Sequence, residues 1–299
     1  MNLLLDVICV IFKVIGLLLF AIVKTLIPTR FHKKKNVRDQ IVLVTGAGSG
    51  LGRLISLRFA NLGSQLVLLD IDEVGNEKTA ELVRATGVKA STYTVDLSKR
   101  ESVYQAAAKV QSNVGNVDIL VNNAGIVTGR RLLDSSDELI QKTMDVNCNA
   151  HFWTTKAFLP SMITRNHGHI VTIASGAGLF GISGLCDYCA SKFAAVGFDE
   201  SLRNELLKQG KTGIYTTLVC PFYIDTGMFK GVQTRFPLIL PILKQEVVVD
   251  RIMSSVLTNQ AILLVPRMLY LFLFLKGVLP VAVYDLLSDS LELATAWMS

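Results

Sequence analysis

Short apolar runs rich in β-branched residues alternate with longer amphipathic runs from Ile41 to Val265, and this alternation leaves the chain few folds to adopt. The short runs predict seven strands, at Ile41–Thr45, Gln65–Asp70, Lys89–Val95, Val117–Asn123, His169–Ser175, Ile214–Cys220 and Ile262–Val265. The longer runs predict helices, at Leu51–Leu62, Glu73–Thr86, Ser98–Asn113, Asp137–Arg165, Tyr188–Gln209 and Glu246–Thr258. Strands that are apolar on both faces and alternate with helices are typical of a parallel sheet covered on each side. The predicted fold class is α/β, a doubly wound parallel sheet in a single domain.

Composition and charge exclude several classes of protein. With 51% hydrophobic and 18% charged residues and a mean hydropathy of +0.44, the chain is too apolar for a disordered protein. Five cysteines in 299 residues are too few, and odd in number, for a disulfide scaffold. Of the net charge of +6, residues 1–39 carry seven basic against two acidic side chains, which leaves only +1 for residues 40–299. This distribution disfavours a nucleic-acid groove, whose basic residues would be spread over the fold.

An apolar stretch from Val7 to Ile27, closed by Pro28 and a basic cluster, precedes the alternating region. Its length of about 20 residues is enough to span a bilayer. On a helix the charged residues of this stretch, Lys13 and Lys24, share one stripe with Asn2 and Asp6, which precede it. Such a stripe equally suits a helix that lies in a membrane interface or in the monolayer of a lipid droplet. A buried core helix is the alternative, and a cleaved signal peptide is disfavoured because the basic residues follow the apolar region.

We therefore predict an N-terminal hydrophobic membrane-anchor helix in residues 1–28 and a basic juxtamembrane segment in residues 29–39. The basic segment would lie among anionic headgroups on the cytosolic side, which predicts a main domain that faces the cytosol. The doubly wound domain is predicted to occupy residues 40–266, and an apolar C-terminal extension the residues 267–299.

The first strand runs into a glycine-rich turn, TGAGSGLG at Thr45 to Gly52, which opens a helix. Glycines at this place let the backbone approach the pyrophosphate of a dinucleotide, whose charge then meets the helix N-terminus. A plain strand-to-helix turn is the alternative. Asp70 ends the second strand, where a carboxylate binds the ribose hydroxyls of the adenosine and repels a 2′-phosphate. Because neither Ser49 nor Ile71 offers a positive charge to that phosphate, the predicted cofactor is NAD and not NADP.

Further motifs follow in order along the chain, namely NNAG at Asn122–Gly125, Asn147, Ser175, and YxxxK at Tyr188 and Lys192. Together with the glycine turn and Asp96 after the third strand, these spaced motifs resemble the short-chain dehydrogenase/reductase family. The resemblance covers Ile41 to Pro266. It implies a Rossmann-type domain and an oxidoreductase that acts on a CH–OH group.

The spacing of Tyr188 and Lys192 allows the lysine to favour ionisation of the tyrosine. Tyrosine, with a pKa of about 10, is a poor base near neutral pH, and an adjacent cation favours its phenolate. Lys192 lies one helical turn after Tyr188 on the same face and can supply that charge. The resemblance implies that Tyr188 exchanges the hydroxyl proton, Ser175 hydrogen-bonds the substrate oxygen, Lys192 also holds the nicotinamide ribose, and Asn147 supports a water chain to Lys192. The predicted catalytic residues are therefore Asn147, Ser175, Tyr188 and Lys192, of which Ser175 and Tyr188 contact the substrate.

The resemblance also implies which residues bind NAD, and these are Gly46, Ser49, Gly50, Leu51, Gly52, Asp70, Asp96, Leu97, Asn123, Ala124, Gly125, Tyr188, Lys192, Pro221, Ile224 and Thr226. Asp96 and Leu97 would bracket the adenine, and Asn123 to Gly125 would line the inner side of the cofactor. One position departs from the family, because Phe222 follows Pro221 where a glycine is usual. The conformation of the loop after the sixth strand is therefore left open.

Two cysteines and two histidines resemble reactive or metal-binding motifs. Cys186 and Cys189 form a CxxC around Tyr188, but no further ligands at zinc spacing accompany them. His167 and His169 lie on the turn into the fifth strand and do not by themselves make a metal site. We therefore predict no metal.

Two apolar runs follow the sixth strand, Met228 to Leu243 and Met268 to Leu287. The first takes the place of the family's substrate loop, and its apolar content predicts a lipophilic alcohol as substrate. Lys276 and Pro280 interrupt the second too early for it to span a bilayer. It is predicted to be a membrane-facing rim or a dimer contact, with a core helix as the alternative.

Within the family, the anchor and its basic cluster resemble the membrane-associated branch of retinol and 17-beta-hydroxysteroid dehydrogenases. That resemblance implies NAD-dependent oxidation of all-trans-retinol to all-trans-retinal at the endoplasmic reticulum membrane or a lipid droplet, with the catalytic domain facing the cytosol. A 17-beta-hydroxysteroid dehydrogenase is the alternative. A non-catalytic lipid-droplet coat protein is a remote one, and the intact catalytic set argues against it. The family also suggests a homodimer formed through the helices that carry Asn147 and Tyr188.

Overall fold

The N-terminal segment forms a helix of its own. The computed structural model describes residues 3–26, 32–229 and 234–290, and the chain divides into two units, Met1–Lys35 and Asn36–Ser299. The first unit contains helix α1 (Leu3–Leu26), whose residues 7–19 are exposed. Among the described residues, no helix combines the length and apolarity needed to cross a membrane. Parts of the predicted anchor, basic segment, substrate loop and C-terminal extension lie outside the described residues, at 1–2, 27–31, 230–233 and 291–299.

The second unit is built on one sheet of seven parallel strands, in the order β3-β2-β1-β4-β5-β6-β7. The strands are β1 (Ile41–Thr45), β2 (Gln65–Asp70), β3 (Ala90–Thr94), β4 (Ile119–Asn122), β5 (Gly168–Ile173), β6 (Ile214–Pro221) and β7 (Ile262–Val265). Most strand residues are buried, as expected for a sheet covered on both faces. The predicted doubly wound α/β fold in a single domain is confirmed.

Helices cover both faces of the sheet. They are α2 (Gly50–Asn61), α3 (Glu73–Arg84), α4 (Arg100–Asn113), α5 (Asp137–Met144), α6 (Ala150–Arg165), α7 (Cys186–Lys208), α8 (Gln245–Leu257), α9 (Met268–Val278) and α10 (Val281–Ser290). One core cluster joins α2, α3 and α8 to one face, and another joins α4, α6 and α7 to the opposite face. The single helix predicted over Asp137–Arg165 is divided, because a π-helical turn at Asp145–Asn149 separates α5 from α6.

The strand order determines where a ligand can bind. The chain leaves β1 toward β2 on one side and later returns to place β4 on the other side of β1. The carboxyl ends of β1 and β4 therefore open a crevice between them, the position at which doubly wound sheets bind their ligands. Strand β5 ends at Ile173, two residues earlier than predicted, so Ser175 lies beyond the sheet at this same edge.

The C-terminal apolar run is a helical hairpin with two different faces. Leu269 and Phe272 of α9 are buried against Leu218 and Leu264 of the sheet. The opposite face of α9 is exposed, as Phe274 shows with 64% of its surface accessible. Within the described residues, the core alternative therefore holds for one face of α9, while the other face remains free for the predicted rim or dimer contact.

Candidate active site

A cleft of about 650 Å³ lies at the carboxyl edge of the sheet. Every predicted cofactor residue except Gly52 lines it, together with Ser175 from the predicted catalytic set. The fold thus brings together residues that are up to 180 positions apart in the sequence, from Gly46 to Thr226. Asn147 is fully buried and is not a lining residue of the cleft.

The glycine turn is shaped by close backbone contacts. Gly46 has a φ of +66°, and a Cβ there would lie 2.9 Å from the Cα of Ala124. A Cβ on Gly52 would collide with the carbonyl oxygen of Gly46. Gly52 therefore supports the turn by packing beneath it and does not face the cleft. The exposed backbone of the turn, followed by the N-terminus of α2, fits the pyrophosphate of a dinucleotide.

Asp70 is held at the end of β2 by two backbone donors. Its Oδ2 accepts a hydrogen bond from the N–H of Gly48 at 2.7 Å, and its Oδ1 accepts one from Asp72 at 2.9 Å. The carboxylate lines the cleft beside Ile71, as the sequence predicts. This fixed anion fits a pair of ribose hydroxyls and opposes a phosphate.

One cation near this position was not considered from the sequence. Arg53 of α2 donates to the carbonyl oxygens of Gly48 and Gly75, and its Nε donates to the Thr79 hydroxyl at 2.9 Å. These three acceptors lie behind the turn, and Arg53 is not a lining residue of the cleft. Its charge therefore stabilises the packing of α2 on α3.

Tyr188 and Ser175 meet at the inner end of the cleft. Tyr188, in the first turn of α7, is 4% exposed, and its phenol shares a hydrogen bond with the Ser175 hydroxyl. Burial raises the pKa of Tyr188 to about 12, against a smaller lowering by that hydrogen bond. The sequence predicts that Lys192 lowers this pKa, whereas in the structure burial of the phenol dominates and the pKa is raised. The phenol is therefore mostly protonated at neutral pH, and only its minor phenolate form can accept a proton.

Lys192 lies one turn further along α7 and is buried with its ammonium group facing the same region. Its Nζ donates a hydrogen bond to the carbonyl of Ile173 at 3.0 Å and lies 5.7 Å from the centroid of the Tyr188 ring. Burial lowers the pKa of Lys192 to about 8. The amine is thus close enough to its neutral form to exchange a proton near physiological pH.

Asn147 sits in the π-helical turn, and its amide is fully engaged. Its Oδ1 accepts from the N–H of Ile126, and its Nδ2 donates to the carbonyl of Ile126, both at 2.8 Å. Nδ2 also donates to the hydroxyl of Ser191 at 3.1 Å. A Cβ on Gly125 would lie 3.4 Å from both Asn147 Oδ1 and Lys192 Nζ, so this glycine lets the two side chains approach. Asn147 therefore holds the segment after NNAG against α7.

The sequence matches the short chain dehydrogenase family model over residues 40–235. The chain belongs to this family. Membership makes the protein an oxidoreductase that acts on CH–OH groups. The predicted family resemblance is confirmed.

Several short chain dehydrogenases are similar to this chain over most of its length. Human epidermal retinol dehydrogenase 2 is 50% identical over 287 residues, which cover 95% of this chain and 93% of that protein. Retinol dehydrogenase 10-B of Danio rerio is 50% identical over 302 residues, which cover 94% of this chain and 89% of that protein.

Two solved structures extend the comparison to ligands. A short chain dehydrogenase/reductase from Burkholderia phymatum, in complex with NAD, aligns with a TM-score of 0.74 at 27% identity and covers 81% of this chain and 94% of that one. A metagenomic short-chain oxidoreductase in complex with NADP aligns with a TM-score of 0.64 at 26% identity and covers 77% of this chain and 97% of that one.

The departure from the family at Phe222 is accommodated by the sheet. The N–H of Phe222 donates to the carbonyl of Val265 at 2.7 Å, which extends the pairing of β6 with β7 by one bond. Its ring packs edge-on against Tyr223, with 4.8 Å between centroids. An isolated bridge between Ile224 and Leu243 then orders the following segment. A side chain at this position therefore replaces the flexibility of glycine with an apolar wall beside the cleft.

A second pocket, of about 20 Å³, is lined by Ser175 and Tyr188. Its remaining walls are mostly apolar, and they include Phe180, Ile182 and Leu185. These wall residues were missed from the sequence. The one feature of the sequence that could have indicated them is their position between Ser175 and Tyr188.

The two histidines of the NHGHI sequence lie away from this site. His169 pairs with Ile119 at the start of β4, and its Nε2 is 2.8 Å from the hydroxyl of Thr217. This is the amino edge of the sheet, opposite the cleft. Among the described residues, no cluster of three or more potential ligands could hold a metal ion.

Proposed function

We propose that the protein oxidises all-trans-retinol to all-trans-retinal with NAD. The observation that carries the proposal is the 50% identity to human epidermal retinol dehydrogenase 2 over 95% of this chain. The aligned 95% of the chain includes the cofactor cleft and the apolar segment that directly follows β6. The mostly apolar side chains beside Ser175 and Tyr188 also favour a lipophilic alcohol.

The choice of NAD is supported by the charges around Asp70. The carboxylate is fixed by Gly48 and Asp72, and the nearby guanidinium of Arg53 is engaged behind the turn. The cations among the lining residues of the cleft are Lys142 on α5 and Lys192 on α7, and neither is on β2 or in its turn. A 2′-phosphate would therefore meet an anion without a compensating cation.

The proposed chemistry assigns a role to each of the four predicted catalytic residues. Ser175 holds the oxygen of the alcohol, and Tyr188 accepts its proton. When bound, NAD supplies the acceptor for the hydride that leaves the carbinol carbon. Lys192 stabilises the phenolate and passes the proton onward, since its pKa of about 8 allows exchange. Asn147 positions the segment at Ile126, because both hydrogen-bonding atoms of its amide are engaged there.

The same proposal includes a location and an assembly. Residues 1–28 would anchor the enzyme at the endoplasmic reticulum membrane or a lipid droplet, with the catalytic domain facing the cytosol. The exposed apolar side chains of α1 and the basic residues that follow it support this setting. A homodimer through the helices that carry Asn147 and Tyr188 completes the proposal.

A competition assay tests the substrate and the cofactor together. The full chain in liposomes is given all-trans-retinol and estradiol, each with NAD and then with NADP, and kcat/KM is measured for each pair. The highest value is expected for retinol with NAD. A higher value for estradiol would favour the steroid alternative, a higher value with NADP would overturn the cofactor assignment, and no turnover at all would favour a non-catalytic role.

A further inference from the structure

Lys276 connects the C-terminal extension to the catalytic centre. It is the only charged residue of α9, in a segment that follows the region matched by the family model. Its Nζ donates a hydrogen bond of 2.6 Å to the carbonyl of Leu179, which is 97 positions earlier in the chain. The ammonium also lies 5.0 Å from the ring centroid of Phe193 and 5.8 Å from that of Phe180. One side chain thus contacts three residues from two other elements.

The segment that Lys276 contacts forms a wall of the small pocket beside Ser175 and Tyr188. Ser175 begins a short 3₁₀ turn at Gly176–Gly178, and Leu179 closes it by donating its N–H to Gly176 at 2.9 Å. Phe180 follows and lines the pocket beside Ser175 and Tyr188. A shift of the Leu179 carbonyl would therefore move the wall at Phe180, whereas Ser175 is held at the opposite end of the turn, where its hydroxyl accepts from the N–H of Ala177 at 3.1 Å.

The third contact, Phe193, belongs to α7 and follows Lys192 directly. Lys276 therefore lies between the pocket wall and the helix that carries the catalytic tyrosine. Partial burial lowers the pKa of Lys276. Interactions of a cation with aromatic rings and with a carbonyl are stronger when the groups are partly removed from water.

We propose that Lys276 is a positioning residue for the lipophilic alcohol. It holds Leu179 and Phe180 against α7, so that the pocket wall keeps its distance from Ser175 and Tyr188. Lys276 does not contact the reacting atoms, and its effect is on how tightly the alcohol is held and not on proton transfer. This inference rests on the proposed function for its substrate, but the contact itself does not.

The kinetic test replaces the charge and then restores it. Lys276→Met keeps an unbranched side chain that packs well beside aromatic rings, while Lys276→Arg keeps the cation. In Lys276→Met we expect KM for all-trans-retinol to rise about tenfold, with kcat within about twofold and with unchanged affinity for NAD. Lys276→Arg should recover most of the loss in KM, and Lys208→Met, an exposed change at the far end of α7, should have no effect.

A substrate-free measurement separates this inference from the proposed function. Amide hydrogen exchange at Leu179 and Phe180 should accelerate in Lys276→Met, while exchange in the central strands of the sheet stays as in the wild type. If the wild type does not turn over retinol but this local acceleration is seen, the proposed substrate fails and the positioning role stands. Unchanged exchange at Leu179 and Phe180, or a Lys276→Met enzyme with wild-type KM, would overturn the role of Lys276. So would a uniform loss of kcat and melting temperature, which would mark Lys276 as merely structural.

Discussion

The carboxylate of Asp70 accepts a hydrogen bond of 2.7 Å from the backbone N–H of Gly48, 22 positions earlier in the chain. This contact joins the end of β2 to the glycine turn after β1. It orients one oxygen of the carboxylate toward the turn and fixes the negative charge at the edge of the cleft. The residue that we propose selects the cofactor is therefore also bonded to the turn that would hold its phosphates.

Replacing Asp70 should alter cofactor preference. In Asp70→Ala the ribose hydroxyls lose an acceptor and a 2′-phosphate loses its repulsion, so kcat/KM with NAD should fall about tenfold to a hundredfold while that with NADP rises. Steady-state kinetics with both cofactors measures the ratio. Asp72→Ala is the matched control, because Asp72 caps α3 by accepting from Gly75 and does not line the cleft. A similar change of ratio in both variants would contradict the assignment.

Removing the hydroxyl of Tyr188 should abolish turnover without unfolding the protein. In Tyr188→Phe the ring still fills its buried site, but no group accepts the proton, so kcat should fall by a factor of about 10² to 10⁴. Binding of NAD, measured by calorimetry, should remain within about threefold. Tyr104→Phe on α4 provides a control remote from the cleft. An unchanged rate in Tyr188→Phe would remove the proposed mechanism.

Oxidation should depend on pH through two buried groups. The Tyr188 hydroxyl has a raised pKa of about 12, so below that value the rate of alcohol oxidation should rise with pH as the phenolate fraction grows. Above about pH 8 the rise should weaken, because Lys192 loses the charge that stabilises the phenolate. Lys192→Arg keeps its charge throughout and should lack this bend in the pH profile of kcat/KM. A bend retained in Lys192→Arg would assign it to another group.

Asp199 should make the folded state less stable at neutral pH than in mild acid. This carboxylate on α7 is 1% exposed, and burial raises its pKa to about 6. The folded chain therefore binds a proton that the unfolded chain has released, so stability falls as pH rises from about 4 to 7. The difference in unfolding free energy between Asp199→Asn and wild type should therefore shift by about 2 kcal/mol in favour of the variant when the pH is raised from 4 to 7.

Urea unfolding at the two pH values measures this difference. Asp250→Asn provides the control, since Asp250 is 62% exposed in its ion pair with Arg58 and surface pairs of this kind contribute little. An Asp199→Asn difference that is the same at both pH values would show that the carboxylate is ionised in both states.

Deletion of residues 1–28 should release the protein from membranes. The apolar side chains of α1 would be the main source of binding energy, and the basic segment alone gives only a salt-sensitive attachment. Flotation with vesicles that contain anionic lipid, at low and high salt, measures the change. If the shortened chain floats as fully as the intact one, binding must be assigned to the exposed face of α9 that contains Phe274.

The fold could be predicted because its signals are local. The strands are apolar on both faces and are separated by helix-length runs, so three of the seven have the predicted bounds, β1, β2 and β7. The glycine turn was equally readable, since Gly46 must adopt a positive φ and Gly52 has no room for a side chain. Sequence spacing is sufficient where each requirement concerns neighbouring residues.

The supporting contacts of the site could not be predicted, because they join distant segments. The amide of Asn147 bonds Ile126, 21 positions away, and Ser191, 44 positions away. Lys276 reaches Leu179 across 97 positions. No local pattern encodes these pairs. In the sequence, Lys276 only interrupts the apolar run from Met268 to Leu287, and nothing near it indicates a contact with Leu179. The π-helical turn was missed for the same reason, since its long-range partners stabilise it.

The π-helical turn makes the site sensitive to the number of residues between α5 and α6. A π turn contains one residue more than the corresponding turn of an α-helix. Removing any one residue from Asp145–Asn149 would therefore let α5 and α6 merge into one regular helix, a locally favourable result. The merger would leave α5 and α6 close to their present relative rotation, because the π turn already absorbs the extra residue, but it would shift the residues of the turn itself and withdraw Asn147 from Ile126. The segment can accept substitutions, but a shortened version of it would gain a better helix and lose the site.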